Sequence, residues 1–175
     1  MTGSQMNKTK ILLFFSVSLI FVFCGNHSED EWTNEWECQV FPVEHEITID
    51  PETGTKVIFV TSDTSKDVNF YFDLNCWFND LSMMVFYSNR FSEYELFGYL
   101  PHTSEIVRLQ NPQLSRAGSA TADYQTNDLY VVRDNSICQW NVEIEISKDP
   151  NISSEVKIRE HKITPAPGCA SFFMG

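Results

Sequence analysis

The chain contains five cysteines, whose thiols have the widest range of chemistry among its side chains. Cys24 ends an apolar run near the N-terminus, which leaves the even set Cys38, Cys76, Cys138 and Cys169. We predict no metal site and no cofactor, because the sequence has no C-x-x-C pair and no H-x-x-x-H spacing. In an exported chain, an even number of cysteines predicts two disulfides.

Four cysteines allow three pairings. We favour Cys76–Cys138, because both residues lie on the apolar face of a strand pattern. Cys38–Cys169 would then join the two ends of the domain. In the chain-entropy model each bridge is worth roughly 3–5 kcal/mol.

The four histidines do not form a recognisable catalytic motif. A nucleophile needs a base within hydrogen-bond reach, but His27 lies in an acidic tract, His45 and His161 lie among charges, and His102 follows a proline. No G-x-S-x-G elbow is present. We therefore predict that the protein has no catalytic centre.

The abundant carboxylates are better explained by solvation than by chemistry. Glu143 and Glu145 point the same way on a predicted strand, as expected for an outer surface that discourages edge pairing. Calcium binding stays an alternative, since it needs oxygen ligands from several loops. The loop aspartates available for it show no EF-hand spacing and are Asp63, Asp67, Asp134 and Asp149.

Aromatic residues could line a carbohydrate or lipid site, or fill the core of a small domain. We expect Phe70, Phe72 and Trp140 in the core, and Trp77, Phe86 and Tyr124 remain available for either role. Trp32 and Trp36 differ, because they lie in an acidic tract where no core is expected. They are the predicted binding residues.

Extended segments must position these side chains. In "ICQWNVEIEI", residues 137–146, the side chains alternate between apolar and polar, which indicates a strand. The same alternation over 68–76 places Val68, Phe70, Phe72, Leu74 and Cys76 on one predicted face. "HEITIDPETGTKVIFV" predicts a strand, a turn and a strand, and "DLYVVRDNS" predicts a hairpin into the strand at 137.

Further strands are predicted at "LSMMVFYS", "EYELFGYL", "SEIVRLQ" and "SSEVKIREHKI", and the one long loop spans 111–121. The sequence contains no convincing amphipathic helix. It therefore predicts a single all-β domain, an antiparallel β-sandwich of immunoglobulin-like or jelly-roll-like kind.

Residues 68–146 resemble exported β-sandwich modules that end in a "Y-x-V … C-x-W-x-V-x-I" hairpin. Tyr130, Cys138, Trp140 and Val142 carry this resemblance. CUB domains also use a C-x-W-x-I strand, although there it comes early and another cysteine pair follows it. The resemblance implies a binding or accessory module without a catalytic centre.

The N-terminus has the pattern of an export signal. Lys8 and Lys10 precede an apolar core of 13 residues at 11–23, which is short for a membrane span. We predict a signal peptide at 1–24, a flexible acidic lead-in at 25–36 and the sandwich at 37–175. Two processing routes stay open, lipidation at Cys24 or ordinary cleavage beside Gly25.

The net charge of −12 disfavours nucleic acids and anionic lipid headgroups as partners. Membrane attachment is expected only through a lipid at Cys24, and Asn151 fits the N-glycosylation pattern of a eukaryotic chain. We predict a secreted or cell-surface protein with a binding or structural role and a protein or cell-surface partner. The alternatives are a carrier of an apolar ligand between the sheets and, third, a hydrolase with a dispersed triad.

Overall fold

A computed structural model describes residues 32–149 and 151–165. Within these ranges all regular structure is β-strand, and the strands form an antiparallel β-sandwich, as predicted. No helix in the described ranges is long and apolar enough to cross a membrane.

Two five-stranded sheets, A and B, make up the sandwich. Each is a meander of four consecutive strands with one N-terminal strand added at an edge. Sheet A has the order β1-β12-β11-β10-β9, with β1 Asn34–Glu37, β9 Ala120–Ala122, β10 Asp128–Arg133, β11 Ser136–Glu145 and β12 Glu155–Pro165. Sheet B has the order β2-β8-β7-β6-β5, with β2 Gln39–Phe41, β5 Asp67–Val68, β6 Met84–Phe91, β7 Glu93–Leu100 and β8 Glu105–Arg108.

A separate two-stranded hairpin lies between β2 and β5 in sequence. Its strands, β3 Glu46–Ile49 and β4 Lys56–Phe59, pair only with each other, in the register Ile47 opposite Ile58. The Asp50 carboxylate accepts hydrogen bonds from the backbone N–H groups of Glu52 and Thr53 at 2.8 and 2.9 Å. These bonds fix the predicted turn.

Strand β11 has the alternation that its sequence predicts. Cys138, Trp140 and Val142 are buried, whereas Gln139 and Asn141 face outward. The hairpin from β10 turns at Asp134 and Asn135, whose φ angles of 50° and 55° match a type I′ turn. Asparagine and aspartate tolerate this left-handed conformation better than most residues do.

The main core lies between the sheets and contains side chains of both. Trp140 is fully buried, and its ring meets Trp36 of β1 edge-on at 5.2 Å between centroids. Gly98 of β7 faces this core, where a Cβ would lie 2.4 Å from Sδ of the buried Met83. Only glycine allows β7 to approach Met83 so closely.

The strand predicted over 68–76 is wrong beyond Val68, since β5 ends there. Asparagine side chains divert the chain by bonding to nearby backbone groups. Asn69 Oδ1 accepts from Phe70 N, while Asn75 exchanges hydrogen bonds with both Trp77 N and Trp77 O. Such local bonds compete with a ladder.

The predicted lead-in also differs from the structure at its end. Residues 34–36 are not flexible but belong to β1, which pairs with β12 in the register Trp36 opposite Ile158. The Trp36 indole N–H donates to the carbonyl of Leu109 at 3.0 Å. The sequence did not predict this edge strand of sheet A, because its residues lie in an acidic tract.

The outer faces of the two sheets differ in whether other residues pack on them. On sheet B, Phe86, Phe97, Tyr99 and Ile106 form a second buried cluster, against which Phe41 and Val60 pack. Residues on either side of the β3–β4 hairpin therefore cover part of this face. The outer face of sheet A has no such cover among the described residues.

Candidate functional site

Cys38, Cys76 and Cys138 are free thiols in the structure. The pairing Cys76–Cys138 stays a prediction. Cys76 lies in the irregular segment after β5, so the shared strand geometry on which the prediction rested does not exist. Cys169 lies outside the described residues, and the pairing Cys38–Cys169 stays a prediction. The predicted signal peptide at 1–24, including Cys24, also lies outside the described residues.

Burial makes two of these thiols poor nucleophiles. It raises the pKa of Cys38 to about 12. It also raises the pKa of Cys138 to about 11, with the negative charge of Glu160 as the next cause. Because the thiolate is the reactive form, both thiols are inert at neutral pH.

The described histidines do not share one site. His102 lines a surface cleft, and His161 meets the ring of Trp32 edge-on at 6.2 Å between centroids. His45 Nδ1 is buried and has no hydrogen-bond partner in the described ranges. The three rings therefore lie in three different environments.

The aromatic predictions are partly confirmed. Phe70 and Trp140 are core residues, and so is Phe86, but Phe72 is 88% exposed and the prediction that it belongs to the core is wrong. Phe72 instead contacts Tyr71 in the turn that replaces the expected strand, with the ring centroids 4.6 Å apart and the rings tilted by 43°. Trp77 and Tyr124, for which the sequence left both a core and a binding role open, are exposed.

The two tryptophans proposed for binding have different environments. Trp36 is half-buried and packs inward against Trp140 at the edge of the main core. Trp32 is 38% exposed and contacts side chains on the outside of sheet A. The guanidinium of Arg159 lies over its ring, 5.2 Å from the centroid.

Trp32 stands at one margin of a surface that we call the polar face. It consists of the outward side chains of β10, β11 and β12 that bond to one another, namely Asp128, Gln139, Asn141, Glu143 and Arg159. All lie on the outer side of sheet A, opposite the main core.

Asp128 organises one half of the polar face. Its carboxylate accepts hydrogen bonds from Gln139 Nε2 at 2.8 Å, from Asn141 Nδ2 at 2.9 Å and from Thr126 Oγ1 at 3.0 Å. The register explains the geometry, because Asp128 pairs directly with Asn141 across β10 and β11. Both amides are thereby held in a fixed orientation.

Arg159 connects this half to Trp32. Its guanidinium pairs with the Glu143 carboxylate and donates to Asn141 Oδ1 at 3.2 Å. It also covers one side of the Trp32 ring. Donors, acceptors and one aromatic surface thus lie side by side on an exposed sheet.

The covered face of sheet B contrasts with this arrangement. Arg90 lies beneath segment 41–67, where its Nη2 donates to Glu44 Oε2 at 3.0 Å and its Nε lies 3.3 Å from Asp63 Oδ2. Asp67 Oδ2 is 3.9 Å from Nη2. Asp63 and Asp67, both considered for calcium, thus face a cation of the chain itself.

No group of three or more metal-binding side chains is found in the described ranges. Asp134, another loop aspartate, faces Arg133 and accepts from Ser115 Oγ at 2.6 Å. Asp149 accepts from Asn151 N at 2.9 Å. Asn151 is exposed in that turn, and its glycosylation stays a prediction.

A fully buried carboxylate, Glu160, closes one end of the main core. It forms a two-pronged ion pair with Arg133, whose Nε lies 3.0 Å from Oε2. Trp140 Nε1 donates to Oε2 at 2.9 Å, and Asn34 Nδ2 donates to Oε1 at 2.7 Å. Burial alone would raise the pKa of Glu160, but these donors outweigh it and hold the pKa below its usual value.

Sequence reasoning missed Glu160 and Arg133, although a signal was present. Continuing the alternation of Val156 and Ile158 places Glu160 on the buried face. Arg133 likewise follows Leu129 and Val131 on the inner side of β10. A charged residue on each buried face predicts an ion pair.

Two clefts are found at the surface of the described part of the chain. The largest that we describe has a volume of about 470 Å³ and lies between the β7–β8 turn and the β11–β12 loop. A second, of about 190 Å³, lies beside β5 on the covered side of sheet B, next to Phe86.

No protein-family model matches the chain, and no curated protein matches its sequence. Among solved structures, an oligogalacturonate lyase in complex with manganese is similar, with a TM-score of 0.50 and 16% identity. The oligogalacturonate lyase of Vibrio parahaemolyticus is similar too, with a TM-score of 0.50 and 15% identity. Each match covers 59% of this chain but only 28% of the enzyme. The neighbours are enzymes, and the likeness extends to the fold alone.

Proposed function

We propose that the chain is an exported β-sandwich module without a catalytic centre, which binds a neutral glycan at a cell surface through the polar face. The observation that carries the proposal is the contrast between the outer faces of the sheets. Phe41 and Val60 pack on the outer face of sheet B, whereas the outer face of sheet A bears a bonded set of polar side chains, of which Glu143 is exposed, Gln139, Asn141 and Arg159 are half-buried and Asp128 is buried.

The fixed orientation of these side chains supports a binding role. Asp128 holds the amides of Gln139 and Asn141, and Arg159 is held by Glu143. Groups already fixed in the free protein lose little conformational entropy on binding. A hydroxyl-rich ligand can exchange hydrogen bonds with such a row of amides, carboxylates and guanidinium.

The composition of the polar face favours a glycan over a protein. Protein interfaces depend on aromatic anchors in a desolvated centre, but Trp32 stands at the margin here and the centre is occupied by amides. An exposed indole beside hydrogen-bonding groups suits the apolar side of a sugar ring. The net charge of −12 disfavours acidic glycans.

The absence of a catalytic centre is supported by the inertness of the thiols and the separation of the histidines. Cys38 and Cys138 stay protonated at neutral pH. The oligogalacturonate lyases share only the fold with this chain, at 15–16% identity. Their lyase activity is therefore not carried over to this chain.

An array of neutral oligosaccharides probed with labelled protein tests the proposal. We expect at least one class of glycan to bind, and Trp32→Ala and Asn141→Ala each to weaken binding at least tenfold. Tyr71→Ala is the matched control, because it removes an aromatic ring that is 67% exposed outside the polar face.

Absence of binding by the wild-type protein would contradict the proposal. Equal binding by the wild type and both variants on the polar face would do so as well, because the polar face would then be an ordinary solvated surface. Thermal unfolding of each variant shows whether the loss of binding is a loss of folding.

A further inference from the structure

The largest described cleft lies away from the polar face, at the end of the sandwich where β7 turns into β8. Its wall contains an apolar part, made by Pro42, Val43 and Ile152, and a polar part that includes Thr103 and Glu105. Its volume of about 470 Å³ is within the range of small-ligand sites.

Glu105 is the unusual member of this wall. It is 8% exposed, and its register opposite Leu100 turns it towards the inner side of sheet B. Its two oxygens share a single donor, the backbone N–H of Ser154, at 3.2 and 3.3 Å. No lysine, arginine or histidine in 32–149 or 151–165 forms an ion pair with it.

Two hydroxyl groups near Glu105 also lack partners. Thr103 Oγ1 in the cleft wall and Ser154 Oγ, which belongs to a residue only 3% exposed, are buried without a hydrogen bond in the described part of the chain. Buried polar groups are nearly always paired, so a cluster of three poorly paired ones requires an explanation. A ligand bound in the cleft would supply partners to Glu105 and Thr103, which line it, whereas Ser154 is not part of its wall.

The chemistry of the missing partner follows from the charge of Glu105. A carboxylate that is nine-tenths buried is costly unless a cation compensates it. Each carboxylate accepts about four hydrogen bonds, and Glu105 receives one donor. Lys148 and His102 line the same cleft but do not reach the carboxylate.

We propose that this cleft binds an organic cation, an ammonium or guanidinium group whose charge pairs with Glu105. The alkyl stem of such a ligand packs against Val43 and Ile152, while the head reaches the carboxylate. A guanidinium fits best, because its fork matches both carboxylate oxygens. The cation comes either from a free small amine or from an arginine or lysine side chain of a peptide.

Two matched pairs of probes test this proposal and separate the sources. Butylguanidinium and the neutral butylurea represent the free cation, and N-acetylarginine amide and N-acetylcitrulline amide represent the peptide. In titration calorimetry at low salt, we expect each cationic probe to bind at least tenfold more tightly than its neutral counterpart. Tighter binding of the arginine derivative than of butylguanidinium identifies a peptide source, and the reverse identifies a small amine.

Glu105→Gln should abolish the preference for the cation while keeping an acceptor for Ser154 N. Glu52→Gln is the control, because it makes the same change of charge in the exposed turn of the β3–β4 hairpin. In the wild type, the amide resonances of Thr103 and Ser154 should shift on addition of butylguanidinium, which keeps the test independent of how the variant folds.

Equal affinity for charged and neutral probes would overturn the proposal, and so would an unchanged preference in the Glu105→Gln variant. No binding of either cation, with no shift at Thr103 or Ser154, would mean that the cleft holds only water. The polar face is not involved in any of these measurements, so their failure leaves the glycan proposal unaffected.

Discussion

Two buried carboxylates, Glu160 and Glu105, face the space between the sheets but have opposite surroundings. Glu160 is paired with Arg133 and accepts further hydrogen bonds from Trp140 and Asn34. Glu105 receives one backbone N–H, from Ser154. Ser154 directly precedes β12 and Glu160 lies six residues further on, about 20 Å along the strand.

This difference distinguishes a carboxylate that stabilises the fold, Glu160, from one that we propose binds a ligand, Glu105. The protein itself supplies the ion-pair and hydrogen-bond partners of Glu160. The Glu160 carboxylate therefore stabilises the end of the core and has no acceptor site left for a ligand. Around Glu105 the partners are missing, and the cost of burial remains until a ligand supplies them. Burial alone therefore does not identify a site, whereas burial without partners does.

Removing the cation from the paired carboxylate should have the largest effect. Arg133→Met leaves Glu160 buried without its counter-charge, which typically costs about 3–5 kcal/mol of unfolding free energy. Urea denaturation measures the loss. Arg116→Met is the matched control, because Arg116 and Glu93 form an exposed pair whose removal should cost less than about 1 kcal/mol. Equal losses in the two variants would show that burial does not matter for the pair.

A smaller effect is expected in the pH dependence of the unfolding free energy, to which Glu160 contributes. The pKa of Glu160 lies below its ordinary value of 4.5, so the folded state binds its proton less readily than the unfolded state does. Glu160 therefore stabilises the fold above pH 4.5, and this contribution is lost as the pH falls through the lower folded pKa.

Glu160→Gln lacks the titrating group and isolates this contribution from those of other carboxylates. We expect the unfolding free energy of the variant to fall less steeply than that of the wild type as the pH is lowered below 4.5. Urea titrations at several pH values give the two slopes. Parallel slopes would mean that Glu160 has the same pKa in both states.

The smallest change in unfolding free energy is expected from replacing Glu105. Glu105→Gln removes an uncompensated charge and keeps an acceptor for Ser154 N. The unfolding free energy should therefore rise or stay within about 1 kcal/mol of the wild-type value. Urea denaturation without ligand measures it. A loss as large as that of Arg133→Met would show that Glu105 is structural and would remove the contrast.

Much of the fold could be predicted, because hydrophobic alternation is a local property. The strand at 137–146, the hairpin before it and the strand "EYELFGYL" all lie where the sequence indicates. The alternation at 68–76 was equally regular, yet Asn69 and Asn75 bond to the local backbone and no ladder forms. Periodicity reports which faces could be buried but not whether a partner strand is there.

The sites were less predictable, because their members come from different strands. Trp32 was identified from its unusual context, but its neighbour Arg159 is distant in sequence. Glu105 has no local signal, since its lack of partners depends on which side chains fail to reach it. The register across β10 and β11 brings Asp128 to Asn141, and register was not available from the pattern alone.

The β3–β4 hairpin has a consequence for how the molecule opens. Ile47, Ile49 and Ile58 are exposed, and the strands pair only with each other. A two-stranded ribbon without further support is only marginally stable in water. The amide hydrogens of the hairpin should therefore exchange with solvent through local fraying, whereas those of β11 should exchange only through global unfolding. The hairpin is thus expected to be less protected than the strands of the two sheets in the described ranges.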